Sequence, residues 1–294
     1  MAAAKAFTIL LATDGSEEGN AAVKAVTAFP WPAGARVEGI VVQAPLIAAD
    51  IPELVWADVE RGHAAIADAA RKVLARRWPD AQVRVVEGPV VDTIIARSKR
   101  IGARVVVLGS RGHGPIARLL LGSTSLGVVR HMRNAALIVR GQPRGVSRVV
   151  IGADGSAHSR RAVGFVAGLQ VPEGGQVTLV RVMERVTPPS LSLLPEATRA
   201  AVVAQGARFA AAEEKKASRE TESAAAELRR AGWTVDVVLR TGAPLHELLA
   251  ATKAARAHLL AVGARGHGRL ETLLLGSVAE GAVHRAPVSV LVAR

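Results

Sequence analysis

Short apolar runs alternate with longer amphipathic stretches along the whole chain. Residues 7–12, 37–42, 83–87, 104–108 and 135–139 are rich in Val, Ile and Leu at successive positions, with Glu38, Arg84, Glu87 and Arg104 the charged exceptions. A strand that is apolar on both faces belongs in a parallel sheet covered by helices. Between these runs, 17–28, 53–77, 90–101 and 123–132 read as helices. The later part of the chain repeats the order, with a long Ala/Glu/Lys/Arg helix predicted around 195–231. Strands alternating with helices predict an open α/β sheet.

The chain is an internal duplication. Phe7-Thr-Ile-Leu-Leu-Ala-Thr-Asp14-Gly-Ser16 returns as Arg148-Val-Val-Ile-Gly-Ala-Asp154-Gly-Ser156. Val105-Val-Val-Leu-Gly109-Ser-Arg-Gly112-His-Gly114 returns as Leu259-Leu-Ala-Val-Gly263-Ala-Arg-Gly266-His-Gly268. The spacing repeats as well: Asp14 to Val42 and Asp154 to Val182 are both 28 residues, and Gly109 to Gly122 and Gly263 to Gly276 are both 13. Val42 to Gly88 is 46 residues and Val182 to Gly242 is 60, so the second copy carries 14 extra residues in one place. The breaker cluster Gly141-Gln-Pro-Arg-Gly145 separates a first domain, 1–141, from a second, 146–294. So short a joint predicts that the halves pack together. Each half ends in an apolar strand, Ala136–Val139 and Val290–Val292, and an uncovered edge of that kind invites pairing.

Composition narrows the function classes. The 294 residues are 50% hydrophobic and include no Cys, which removes disulfides and thiol chemistry. There is no apolar run of 18 residues and no signal-peptide pattern at the start, so a cytoplasmic protein with no membrane partner is expected. The formal charge of +13 attracts polyanions. Aromatic residues are only 3%, and no basic run is interleaved with them, so nucleic acid is not the expected partner.

The candidate chemistry sits where strands end. Asp14-Gly-Ser follows the first strand, Gly109-Ser-Arg-Gly112 the fourth, and Gly122-Ser123-Thr124 opens the last helix of the first copy. Ligands of open α/β sheets lie beyond the carboxyl ends of the strands. Glycines there let backbone N–H groups meet an anion, and a helix N-terminus adds donors and a favourable dipole. Ser123 and Ser277 either cap their helices or offer hydroxyls to phosphate, and Ser277-Val-Ala-Glu280 fits a capping box. No P-loop, dinucleotide fingerprint, zinc motif or nucleophile elbow is present.

Gly109-x2-Gly112-x9-Gly122-Ser123 and Gly263-x2-Gly266-x9-Gly276-Ser277 both resemble the ATP-binding signature of the universal stress protein family, twice over and across nearly the whole chain. The resemblance implies two tandem open parallel five-stranded sheets, order 3-2-1-4-5, with helices on both faces. It implies that Asp14 lies beside Gly109 and Asp154 beside Gly263. It places adenosine near Asp14, Val42 and Leu108, with Asp154, Val182 and Val262 as counterparts. Phosphates would meet Gly112, Gly122, Ser123 and Thr124, and in the second copy Gly266, Gly276, Ser277 and Val278. Arg111 and Arg265 either neutralise phosphate or are surface residues, and His113 and His267 are hydrogen-bonding groups with nothing to orient them as catalysts. Two departures from the family pattern stand out. Arg104 and His258 occupy the usual acidic position, and Arg133-Asn134 replaces the Pro-Val seen at Pro287-Val288.

The function expected is an ATP-binding regulator or sensor of the stress response, with ATP bound with or without Mg. A homodimer and an unidentified protein partner are expected. No residue is assigned a catalytic role; the alternative is a slow ATP hydrolase or another adenylate-using enzyme on the same fold.

Overall fold

The computed structural model describes residues 6–45, 53–111, 121–141, 145–183, 195–266 and 275–294. The first half runs β1 (Thr8–Ala12), α1 (Glu17–Ala28), β2 (Arg36–Gln43), α2 (Glu53–Leu74), β3 (Gln82–Glu87), α3 (Val90–Arg100), β4 (Val105–Gly109), α4 (Ser123–His131) and β5 (Ala135–Val139). The second runs β6 (Arg148–Gly152), α5 (Ala157–Ala167), β7 (Gln176–Met183), α6 (Glu196–Arg230), β8 (Thr234–Thr241), α7 (Pro244–Ala254), β9 (Leu259–Gly263), α8 (Ser277–Arg285) and β10 (Ser289–Ala293). Each element falls within a few residues of its expectation, because each apolar run is short enough for a strand and is followed by turn chemistry. The turn into α1 is one case: Gly15 takes φ +78°, and the Ser16 hydroxyl then caps the helix by accepting from Gly19 N at 3.1 Å. Gly155 (φ +83°) and Ser156 repeat this at α5.

The strand order is β3-β2-β1-β4-β5-β10-β9-β6-β7-β8. Each half keeps the expected 3-2-1-4-5 parallel order, and the two sheets join at their last strands into one of ten strands. The joint is the only antiparallel step among the described strands, with Ile138 opposite Val290, Leu137 opposite Leu291 and Ala136 opposite Val292. The apolar edges expected to be paired, within the chain or between chains, pair with each other within the chain.

Strand residues alternate between two cores. Ile9, Leu11, Leu137 and Leu291 face α1, α2, α5 and α6. Leu10, Ile40, Ile138 and Val290 face α3, α4, α7 and α8. Both cores cross the joint, so the halves share one interior. Leu137, Ile138, Val290 and Leu291 are each at most 1% exposed. At about 1.5–3 kcal/mol per buried aliphatic side chain, these four make the joint a large part of the stability.

Two arginines fasten the joint reciprocally. Arg140, just after β5, donates Nη2 to the carbonyls of Val283 (2.6 Å) and His284 (3.1 Å), at the end of α8. Arg294, just after β10, donates Nη2 to Val129 (2.9 Å) and Arg130 (2.7 Å), at the end of α4. A cation at a helix C-terminus satisfies the last carbonyls and complements the dipole. Arg130 and Glu280 add an ion pair across the joint. Asn134, one of the departures, donates to Ser98 Oγ at 3.2 Å and leads into a β5 that is buried along its whole length.

Arg140→Ala and Arg294→Ala are each expected to cost about 1–3 kcal/mol, the range for hydrogen bonds from a charged donor. The check is urea unfolding: a lower midpoint with an unchanged slope and an unchanged far-ultraviolet circular dichroism spectrum. An unmoved midpoint would remove these caps from the account.

Candidate functional site

Strand order reverses beside β1 in the first half and beside β6 in the second. The chain leaves β1 for α1 on one face and leaves β4 for α4 on the other, so a crease opens between β1 and β4 beyond their carboxyl ends. A second crease lies between β6 and β9. Because β5 and β10 run antiparallel, the two creases open at opposite edges of the sheet.

In the first crease, Asp14 Oδ1 accepts from Ser16 N (3.0 Å) and Ser16 Oγ (2.6 Å). In the second, Asp154 Oδ1 accepts from Ser156 N at 2.9 Å, while the Ser156 hydroxyl donates to the Arg265 carbonyl at 3.1 Å. One loop serine thus closes on its own aspartate, and the other ties the first loop to the glycine motif. A Cβ built on Gly266 would lie 2.5 Å from Asp154 Oδ2, so carboxylate and motif meet there. Gly276 N donates to Ala264 O at 2.8 Å, and Gly122 N to Ser110 O at 2.9 Å. A Cβ on Gly276 would stand 3.3 Å from Ala264 O and Arg265 Cα. Asp154, Gly266 and Gly276 therefore surround one small space.

Gly109 and Gly263 have a different reason to be glycine. A Cβ on Gly109 would sit 2.6 Å from the Glu18 carbonyl group, and one on Gly263 2.6 Å from Ser159 N. These two residues let the first turns of α1 and α5 lie against the strand ends. Leu108 and Val262 are buried in the core below, with Val42 and Val182 half-buried against the same core. Gly112, His113 and His267 lie outside the described residues.

Helices α4 and α8 begin differently from α1 and α5. Their N-caps are Gly122 and Gly276, and neither has a side-chain cap. Ser123 and Ser277 are the first helical residues, both exposed, with Thr124 and Val278 half-buried behind them. The capping box at Ser277 does not form: the helix starts one residue too early, and Glu280 pairs with Arg130 instead. The first N–H groups of both helices thus receive no cap from their own N-cap residues.

An arginine stands at each crease. Arg111 Nη1 lies 3.9 Å from Glu18 Oε1, and its charge, added to burial, holds the Arg140 guanidinium below its ordinary pKa. Arg265 acts likewise on the half-buried Arg294. Burial, followed by Arg161, Arg265 and Arg294, lowers the pKa of His158 against the opposing pull of Asp154. A separate cleft of about 310 Å3 opens at the joint, between Phe29, Leu137, Arg140, His258 and Ser289. It contains none of the residues expected to hold a nucleotide.

The universal stress protein family model matches residues 6–140 and again 145–294. The chain belongs to the universal stress protein family. A universal stress protein of Mycobacterium tuberculosis is 30% identical over 254 residues, 82% of this chain and 79% of the relative. One from Mycolicibacterium smegmatis is 26% identical over 72% of this chain and 68% of its own length. Among solved structures, a universal stress protein from Archaeoglobus fulgidus is 21% identical, with a TM-score of 0.65 over 98% of this chain and 96% of its own.

This tandem universal stress protein also holds site features that motif reading passed over. Ser125 Oγ donates to Gly109 O at 2.7 Å and ties α4 to its strand, where the second copy has Ala279. Gly15 lies against Ile66, whereas Gly155 lies against Glu220 and Arg181, which pair at 3.7 Å. The only sequence signal for either was a polar residue in one repeat opposite an apolar one in the other.

The glycines separate by experiment. Gly263→Ala forces a backbone contact and is expected to cost about 1–3 kcal/mol in thermal or urea unfolding. Among the described residues Gly266→Ala meets only the Asp154 carboxylate, the end of a side chain, and is expected to stay within about 0.5 kcal/mol of the parent. Equal losses from both would contradict the division between packing and cradle glycines.

Proposed function

We propose that this universal stress protein binds ATP in both creases and acts as a nucleotide-dependent regulator in the stress response. One observation carries the reading. In each half, a helix whose N-cap glycine offers no side chain begins at the third motif glycine, hydrogen-bonded to the strand-end loop, and in the second half Gly266 and Gly276 bring that helix start to Asp154. N–H groups at a helix N-terminus, with Arg111 or Arg265 adjacent, form an anion site suited to phosphate. Asp14 and Asp154 suit ribose hydroxyls, which donate to a carboxylate. Ser123 and Ser277, exposed at the same helix starts, add hydroxyl donors.

The regulatory half of the proposal rests on where those helices end. The phosphate-facing helix α4 is held at its far end by Arg294 of the second half, and α8 by Arg140 of the first. Nucleotide at one crease therefore acts on a helix whose other end belongs to the joint, which lets occupancy change the whole molecule rather than one loop.

Two bound ATP per chain are expected, with the first crease the tighter. Thr13, where the second half has Ala153, is 7% exposed, and its hydroxyl accepts from Gly15 N within the turn. A further contrast is Thr124 against Val278. A hydroxyl that reaches the ligand adds about 0.5–1.5 kcal/mol, or roughly two- to tenfold in affinity. Calorimetric titration of nucleotide-stripped protein checks this, with Asp14→Ala expected to remove the tighter phase and Asp154→Ala the weaker. A stoichiometry of one, or the opposite assignment, would overturn it.

A further inference from the structure

Helix α6 is 35 residues long, against 22 for its counterpart α2, and the described part of the insertion lengthens its N-terminal end. The helix docks on the body through Ala217, Thr221, Ala225 and Leu228, all at most 3% exposed. N-terminal to Ala217, every described side chain from Glu196 to Lys216 is exposed. At 1.5 Å per residue, about 30 Å of helix therefore stands clear of the body. It does so with Val202, Val203 and Phe209 at 44%, 58% and 69% exposure.

The exposed residues repeat at heptad spacing. Arg199, Val202, Gly206, Phe209, Glu213 and Lys216 fall at alternating steps of three and four, the pattern of a seam between two helices. Gly206 stands at the centre of this stripe. A glycine inside a helix costs about 1 kcal/mol relative to alanine. Among the described residues nothing lies within 4 Å of where its Cβ would be, so no described contact requires it. A glycine on a helix seam lets a second backbone approach closely.

The charges fix the partner and its direction. Aligned antiparallel about Gly206, the stripe meets itself with Arg199 opposite Glu213 and with Val202 and Val203 beside Phe209. A parallel alignment would set Arg199 against Arg199 and Glu213 against Glu213. The segment carries four basic residues (Arg199, Arg208, Lys215, Lys216) and three acidic ones (Glu196, Glu213, Glu214). It is therefore close to neutral in a strongly basic chain, and two copies can meet there with little mutual repulsion. The terminal strands β5 and β10 do not compete for this role, since they already pair with each other.

We propose that the projecting part of α6 pairs antiparallel with the same segment of a second chain, forming a dimer with its two-fold axis at Gly206. A single helix pair of this length is at the small end of specific interfaces, so the dimer is weak and reversible. The inference stands apart from the nucleotide reading, because stripped protein is used throughout its test.

Sedimentation velocity of the full-length protein over a wide concentration range is the measurement. The parent is expected to pass from monomer to dimer as concentration rises. Arg199→Glu alone sets Glu against Glu, and Glu213→Arg alone sets Arg against Arg; each is expected to weaken the dimer at least tenfold while circular dichroism stays unchanged. An equimolar mixture of the two single variants restores both pairs and is expected to form a heterodimer near parental affinity. A parent that stays monomeric at the highest concentrations, a dimer indifferent to both substitutions, or a mixture that fails to recover would each overturn the proposal.

Discussion

The antiparallel pairing of β5 with β10 is the constraint on which the rest of the molecule depends. Each half is a parallel sheet that ends in a largely buried, mostly apolar strand, and such an edge is a hazard unless something covers it. Here each half covers the other. The pairing makes one ten-stranded sheet, runs both cores through the joint and turns the two carboxyl ends in opposite directions. Two creases on opposite edges follow from that single antiparallel step.

The same step links the creases to each other. The strands that pair also deliver Arg140 and Arg294 to the ends of α8 and α4, whose beginnings face the creases. Desolvation lowers the pKa of both guanidiniums, and each has a second arginine nearby that belongs to a crease loop. An anion beside Arg111 or Arg265 relieves part of that repulsion. The two halves are not equivalent in how their loops are backed. An aliphatic residue, Ile66, lies against Gly15, and an Arg181–Glu220 pair lies against Gly155. Duplication kept the backbone of the site and let its supports diverge.

Much of this was legible in the sequence, because the signals were local and repeated. The strands announced themselves as aliphatic runs, the first turns as Asp-Gly-Ser, and the long helix as an Ala/Glu/Lys/Arg stretch. What failed were readings that depend on where a neighbour sits. Ser277-Val-Ala-Glu280 has the spacing of a capping box, yet Gly276 is the cap and Glu280 turns to Arg130 on the other half. Gly109 and Gly263 read as part of an anion cradle, but the nearby backbone of α1 and α5 also demands them. The terminal strands were recognisable as unmet edges, while the partner of each was not, since pairing within a chain and between chains leaves the same local pattern. Arg140 and Arg294 stand 154 residues apart, the offset of Gly109 and Gly263, but nothing local marks an arginine as the cap of a distant helix.

The most direct test of the account is residue-resolved amide chemical shifts of isotopically labelled, nucleotide-stripped protein during titration with ATP. The account predicts that the backbone N–H signals of Gly122, Ser123 and Thr124 move, that those of Gly276, Ser277 and Val278 follow at higher nucleotide concentration, and that signals around Phe29 and His258 in the joint cleft move little. Unmoved helix-start signals at saturating ATP, or shifts confined to the joint cleft, would contradict it.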